Sequence, residues 1–250
     1  MDELLLLLAF VIFAAIAAVL SGPMYRVTRD GDAEALGWAN AMAAGLMLGA
    51  AYAIAFHGWG DGPGLGFGLG ALLGVIPGIA AYRLADGTPW GARNQEPVIG
   101  ANHGPTAAYG SILRHAVHAA PEGVAIGVAA SMDLGLGLFL AAALATHNVA
   151  EGLSLVVATV EDGRSTVLGA GRAVVSNLPQ VVLGVGAFLL LEAQPLLTPL
   201  GVGFSVGALV YLVLVDLLPE AYHQVGAEVI AIVAAIGMSS VPFLAGILGV

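Results

Sequence analysis

Residues 118–127 read HAAPEGVAIG, and residues 147–156 read HNVAEGLSLV. Each stretch opens on a histidine, places a glutamate four positions on, and follows it at once with a glycine. Both lie inside long apolar runs where charged residues are otherwise scarce. A helix advances about 100° per residue, so positions i and i+4 share a face. His118 and Glu122 therefore share one face, and His147 and Glu151 share another.

The rest of the chain says what solvent surrounds these groups. Of its 250 residues 59% are hydrophobic and only 10% are charged. A soluble domain carries about 25% charged residues. Many of the apolar runs reach the roughly 20 residues that a helix needs to span a bilayer. The composition thus describes an all-α membrane protein, a single transmembrane domain over residues 1–250. Helices are preferred to barrel strands because the runs are near-continuous rather than alternating. The 36 glycines suit close helix packing in lipid.

Eight runs can be counted, at about residues 3–22, 35–57, 64–84, 106–131, 134–160, 166–191, 197–220 and 226–249. SGP at 21–23, HGWGDGPG at 57–64 and DGTPWGARNQEPVIGANHGP at 86–105 read as breakers between them. The last is the one long polar loop, at about 86–105. The opening MDELLLLLAFVIFAAIAAVLSG has an acidic start and too long an apolar stretch for a secretory signal, so it reads as a retained first span.

The basic residues orient the chain. There is no lysine, and Arg26, Arg29, Arg83, Arg93, Arg114, Arg164 and Arg172 all lie on the side reached by odd-numbered connections. By the positive-inside rule that side is cytoplasmic, which puts both termini outside the cell membrane. The formal charge of −10 has two compatible readings. One is general acidity suited to a salt-filled cytoplasm; the other is acidic loops that concentrate cations at pore mouths. No nucleic-acid partner is expected. There is no cysteine, which excludes thiolate metal sites and disulfides.

On this topology the two histidines sit about 18–20 Å into antiparallel neighbouring spans, near the middle of a core about 30 Å thick. Ionisable groups at that depth cost about 2.5–3.5 kcal/mol each on insertion scales and mark pathways or sites. Two imidazoles and two carboxylates converging between two helices suit a divalent transition metal: Zn²⁺, with Fe²⁺, Mn²⁺ or Co²⁺, rather than the oxygen-preferring Ca²⁺ or Mg²⁺. Other readings of the cluster are a proton relay for another solute, and a structural ion in a membrane scaffold. An enzyme is not expected: HExxH is absent, and no nucleophile elbow is read. Pro121 frees the Val117 carbonyl within the first motif, as an ordinary kink or as room for a hydrated ion.

At these residues the chain resembles the ZIP family of divalent metal transporters, nearest to its bacterial and archaeal broad-specificity branch. HAAPEG and HNVAEG stand where the family carries HNxPEG-like motifs. GLMLGAAYAIAF at 45–56 and GFSVGALVYLVLVDLLPEA at 203–221 are similar to its second and seventh spans. The resemblance implies eight spans in a 3+2+3 arrangement, with spans 1–3 and 6–8 as inverted repeats around spans 4 and 5. It implies a metal-ion substrate moved inward, no cofactor beyond that ion, lipid surroundings and a homodimer. His118, Glu122, His147 and Glu151 would hold the ion, with Met47 as a further thioether contributor or a packing residue. His115 would line a release route, and Asp216 would be an exit ligand or an interfacial charge.

The chain departs from the family at a second metal position. There many members use an Asn after the span 4 histidine and a Glu in span 6. Here those places hold Ala119 and Gln180, and Asn148 alone remains. Asn177, one turn from Gln180, is expected to hydrogen-bond between helices. His57 and His103 read as solvated loop residues.

Two divalent cations 4 Å apart repel by about 16 kcal/mol at an effective dielectric of 20, and two shared carboxylates compensate only one of them. One tightly held transition metal per chain is therefore expected. Ala119→Asn combined with Gln180→Glu should raise the count toward two. Anomalous diffraction from Cd²⁺-soaked crystals measures it, and two full peaks in the unmodified protein would refute the reading.

Overall fold

The computed structural model describes residues 2–28, 33–58, 64–86 and 105–249. Among them the chain is helical throughout, without strands, and its helices fall into eight rods. These are α1 (Asp2–Val27), α2 (Ala33–His57), α3 (Leu65–Asp86), α4 (Pro105–Met132), α5 (Leu134–Glu161), α6 (Thr166–Ala193), α7 (Pro195–Gln224) and α8 (Ala227–Leu248). All but α3 and α4 are long and apolar enough, over described residues, to cross a membrane. Residues 87–104, with Arg93 and His103, lie outside the described residues, as does Arg29.

The distribution of polarity is that of a protein solvated by lipid. The outer surface exposes Phe13, Ile16, Leu72, Val182 and Phe243. The interior buries His118, Glu122, His147, Asn148 and Gln180. Hydrophobic burial cannot drive helices together in hydrocarbon, so close van der Waals contact must do so. Glycine supplies it. A Cβ at Gly203 of α7 would overlap the Phe67 carbonyl oxygen of α3, and one at Gly45 of α2 would overlap that of Ala234 on α8. A Cβ at Gly123 of α4 would overlap that of Gln180 on α6. These backbone-to-backbone seams join α3 to α7, α2 to α8 and α4 to α6.

The seams sort the rods into two sets. α1, α4, α5 and α6 pack together, as do α2, α3, α7 and α8. The sets meet where α5 touches α2 and where α4 touches α3 and α7.

Three local features depart from the sequence reading. SGP does not end α1: the chain tightens into a 3₁₀ turn at Ala18–Leu20 and re-enters a helix at Ser21–Val27. Pro23 stands in the first turn of that helix, where a missing N–H costs nothing. The Ser21 hydroxyl donates to the Ala18 carbonyl at 2.7 Å. α6 is interrupted at Asn177, between Thr166–Ser176 and Leu178–Ala193. α7 widens into a π-helical turn at Val213–Leu217, which contains Asp216.

The seams predict unequal costs for the same substitution. Gly203→Ala should lower stability by about 1–3 kcal/mol through overpacking. Gly186→Ala, where nothing lies within 4 Å of the added carbon, should be neutral or stabilising by up to about 1 kcal/mol. Thermal unfolding in detergent checks both; equal midpoints would show that the seam yields.

Candidate metal centre

The hairpin of α4 and α5 sets the geometry. α4 ends at Met132, α5 begins at Leu134, and Asp133 alone connects them. The Asp133 carboxylate accepts from the Leu136 amide at 2.7 Å, capping α5. His118 lies 15 residues before Asp133 and His147 lies 14 after it. At 1.5 Å per residue both are about 21–22 Å from the turn, so they meet at one level.

Each carboxylate there lies between both imidazoles. Glu122 Oε1 is 2.8 Å from His147 Nε2 and 3.5 Å from His118 Nε2. Glu151 Oε1 is 3.7 Å from His118 Nε2, and its Oε2 is 3.6 Å from His147 Nε2. The rings stack at 15° with centroids 6.0 Å apart. One ligand atom from each residue fits within 4.8 Å of all the others.

These distances fit a shared ion better than mutual hydrogen bonding. Both ring nitrogens of each histidine and both oxygens of Glu122 are buried without an aligned hydrogen bond among the described residues. Buried polar groups normally find such partners. A tetrahedral ion with bonds of about 2.0–2.1 Å separates its ligand atoms by about 3.3 Å. The four His–Glu separations, 2.8–3.7 Å, bracket that value, and the whole set lies within 4.8 Å. The two carboxylates supply the charge that neutralises a divalent ion.

The motif glycines have a role that sequence reading left unassigned. Gly123 lets α4 lie against the Gln180 backbone, and a Cβ at Gly152 would come within 3.1 Å of Ser21 and Ala173. The residue after each glutamate is thus a packing point for α1 and α6.

Beside the cluster, Asn148 donates to Gln180 Oε1 at 2.8 Å and to the Ala14 carbonyl at 2.9 Å, tying α5 to α6 and α1. The Gln180 oxygen is therefore engaged by an amide. Ala119 is buried. Asn177 does not bridge helices as expected; its amide donates to Ala173 within α6 at 2.9 Å. Met47 is buried in α2 within the main apolar cluster.

His115 and Asp216 both reach the centre's edge. His115 Nε2 lies 3.2 Å from Ser154 Oγ and 4.0 Å from Glu151 Oε1. Asp216 Oδ2 lies 3.4 Å from His118 Nδ1. Both line a cavity of about 70 Å³ with Glu151, Glu161 and Glu220. Since one water needs about 10–15 Å³ of such space, several fit. Gln224 bridges its far wall, accepting from Asn40 at 3.3 Å and donating to Glu220 at 2.7 Å. Asp216, Glu220 and Gln224 recur at four-residue steps, a polar stripe present in the sequence but outside the paired motifs.

His57 closes α2, its Nδ1 2.8 Å from the Ala53 carbonyl. Residues 203–207, GFSVG, do spell a G-x-S-x-G pattern, contrary to the sequence reading. Ser205, however, lies buried inside α7 and donates to the Gly201 carbonyl at 3.0 Å. It is not on the exposed strand-to-helix turn that such a nucleophile needs.

No family model matches the chain. Among curated proteins it is similar to one of Arabidopsis thaliana named "Putative zinc transporter", with 27% identity over 215 residues. The match covers 85% of this chain and 34% of that protein, so the chain spans about a third of its relative's length.

Removing one carboxylate should leave the ion's charge uncompensated. Glu122→Gln or Glu151→Gln should weaken Zn²⁺ binding by about 3–5 kcal/mol, two or more powers of ten. Ligation requires neutral imidazole and ionised carboxylate, so affinity should be lower at pH 5 than at pH 7, with protons released on binding. Calorimetry in two buffers of different ionisation enthalpy measures both effects. Equal heats, or an unchanged affinity in Glu151→Gln, would remove these residues from the site.

Proposed function

We propose that the chain is a multi-pass membrane transporter that moves a divalent transition metal inward, Zn²⁺ foremost, with Fe²⁺, Mn²⁺ and Co²⁺ as further substrates. One observation carries the reading. The buried His118, Glu122, His147 and Glu151 cluster opens, through Glu151, onto a carboxylate-lined cavity large enough for water. A structural ion requires the cluster alone. A transported one requires a route, and an acidic cavity with room for water offers successive oxygen ligands and hydration to an ion leaving its nitrogen ligands. The name of the Arabidopsis relative points to the same cargo.

The helix pairings favour eight spans in the 3+2+3 order. Exchanging spans 1, 2 and 3 with 6, 7 and 8, and 4 with 5, turns the α3–α7 pairing into α8–α2. The same exchange turns α4–α6 into α5–α1, and α2–α5 into α7–α4; all six pairings occur. That is the pattern an inverted repeat generates, with its site between the halves. The arginines favour termini outside and the 86–105 loop inside. Arg26, at the end of α1, lies 3.4 Å from Thr166, at the start of α6, as one shared side requires. A homodimer in the cell membrane completes the reading.

Flux of several metals into proteoliposomes, with and without a pH gradient and a voltage, tests it. Zn²⁺ should accumulate in vesicles holding the native chain and not in those holding Glu151→Gln. Tight binding without flux would make the ion structural, and flux of another solute with protons would make the cluster a relay.

A further inference from the structure

We propose that Asp216 is a positioning residue for the metal centre: from the π-helical turn of α7 its carboxylate orients the His118 ring through Nδ1 and raises the centre's metal affinity without being a ligand. This rests on the metal-binding reading above.

The geometry divides the work of the two ring nitrogens. His118 Nε2 faces Glu122 and Glu151, at 3.5 and 3.7 Å. Nδ1, on the ring's other side, faces Asp216 at 3.4 Å. A carboxylate at Nδ1 favours the tautomer that carries its proton there, leaving the Nε2 lone pair free for a metal. Such outer carboxylates raise a histidine's basicity as a ligand. His147 has no comparable support: among the described residues no carboxylate lies within 4.0 Å of its Nδ1, its contacts with Glu122 and Glu151 running through Nε2.

α7 presents Asp216 by an irregularity. The turn Val213–Leu217 is π-helical, with one more residue than an α-turn holds. An added residue rotates the downstream positions by about 100° relative to a regular helix. The Asp216 side chain, 30% exposed, also lines the cavity, so it faces space large enough for water on one side and His118 on the other. The contact crosses between the two helix sets, since His118 belongs to the first and Asp216 to the second. Four ligands on a single hairpin thus have one of their rings aimed by the opposite set.

The test uses the full chain purified in detergent and reconstituted in vesicles, with Zn²⁺ alone as the probe. Asp216→Ala should raise the Kd for Zn²⁺ by about 10–100-fold, with the stoichiometry kept at one. KM for uptake should rise in step, while the maximal rate changes far less. Asp216→Asn, whose carbonyl still accepts from Nδ1–H, should recover most of the affinity. In a His118→Ala background, Asp216→Ala should have no further effect. An unchanged Kd with a reduced maximal rate would overturn the proposal in favour of an exit role. Asp216→Asn as weak as Asp216→Ala would overturn it in favour of direct ligation or bare charge. If Asp216→Ala does not fold, the Asp216→Asn and Asp216→Glu affinities decide: both near the native value support positioning, and loss in Asp216→Asn overturns it. Absence of stoichiometric Zn²⁺ binding by the native chain would overturn the metal reading itself, whereas native binding with an unaffected Asp216→Ala variant overturns only the role of Asp216.

Discussion

Two carboxylates buried between apolar helices, with no lysine in the chain and, among the described residues, no arginine paired with them, are the constraint on which the rest of the structure depends. Unpaired charge in a low-dielectric interior costs several kcal/mol per group. Glu122 and Glu151 are held there together, each between the same two imidazoles. Their surroundings serve that placement. Small residues let α1 and α6 close around the hairpin, and the amide pair Asn148–Gln180 braces it without adding charge. On one side Glu151 and Asp216 line a cavity with room for several waters.

Glycine carries much of the remaining architecture. In lipid there is no gain from hiding apolar side chains, so helices bind by approaching until their backbones touch. The seams α3–α7, α2–α8 and α4–α6 do so, and each stays within one set of helices. Between the sets the contacts described are made by side chains instead, His118 with Asp216 among them. Cohesion is therefore uneven: strongest inside each set and more adjustable where the metal centre meets its neighbour.

Much of this was legible in the sequence because it depends on period and length. Apolar runs gave the rods, and the repeated four-residue spacing brought His118, Glu122, His147 and Glu151 together. What escaped depends on geometry that composition does not record. A π-turn needs no distinctive residue, so nothing in VLVDL marks the redirection of Asp216 toward His118. SGP carries the letters of a breaker, yet a proline in the first turn of a helix breaks nothing. Asn177 had an acceptor within its own helix, one turn back, and took it in preference to a partner across the interface. The cavity residues Ser154, Glu161 and Glu220 come from two helices, and only folding shows that they share a space.

The single-residue link at Asp133 has a consequence for which changes this region can absorb. Because the two halves of the cluster are levelled by counting outward from one turn, side chains along the arms can be exchanged for others of similar size while the ligands stay opposed. Chain length cannot. One residue gained or lost between His118 and Asp133 moves that histidine about 1.5 Å along the helix and about 100° around it. The same change between Asp133 and His147 displaces the other pair. Divergence in this stretch is therefore confined to substitution, and the interval of 29 residues between the histidines is itself part of the site.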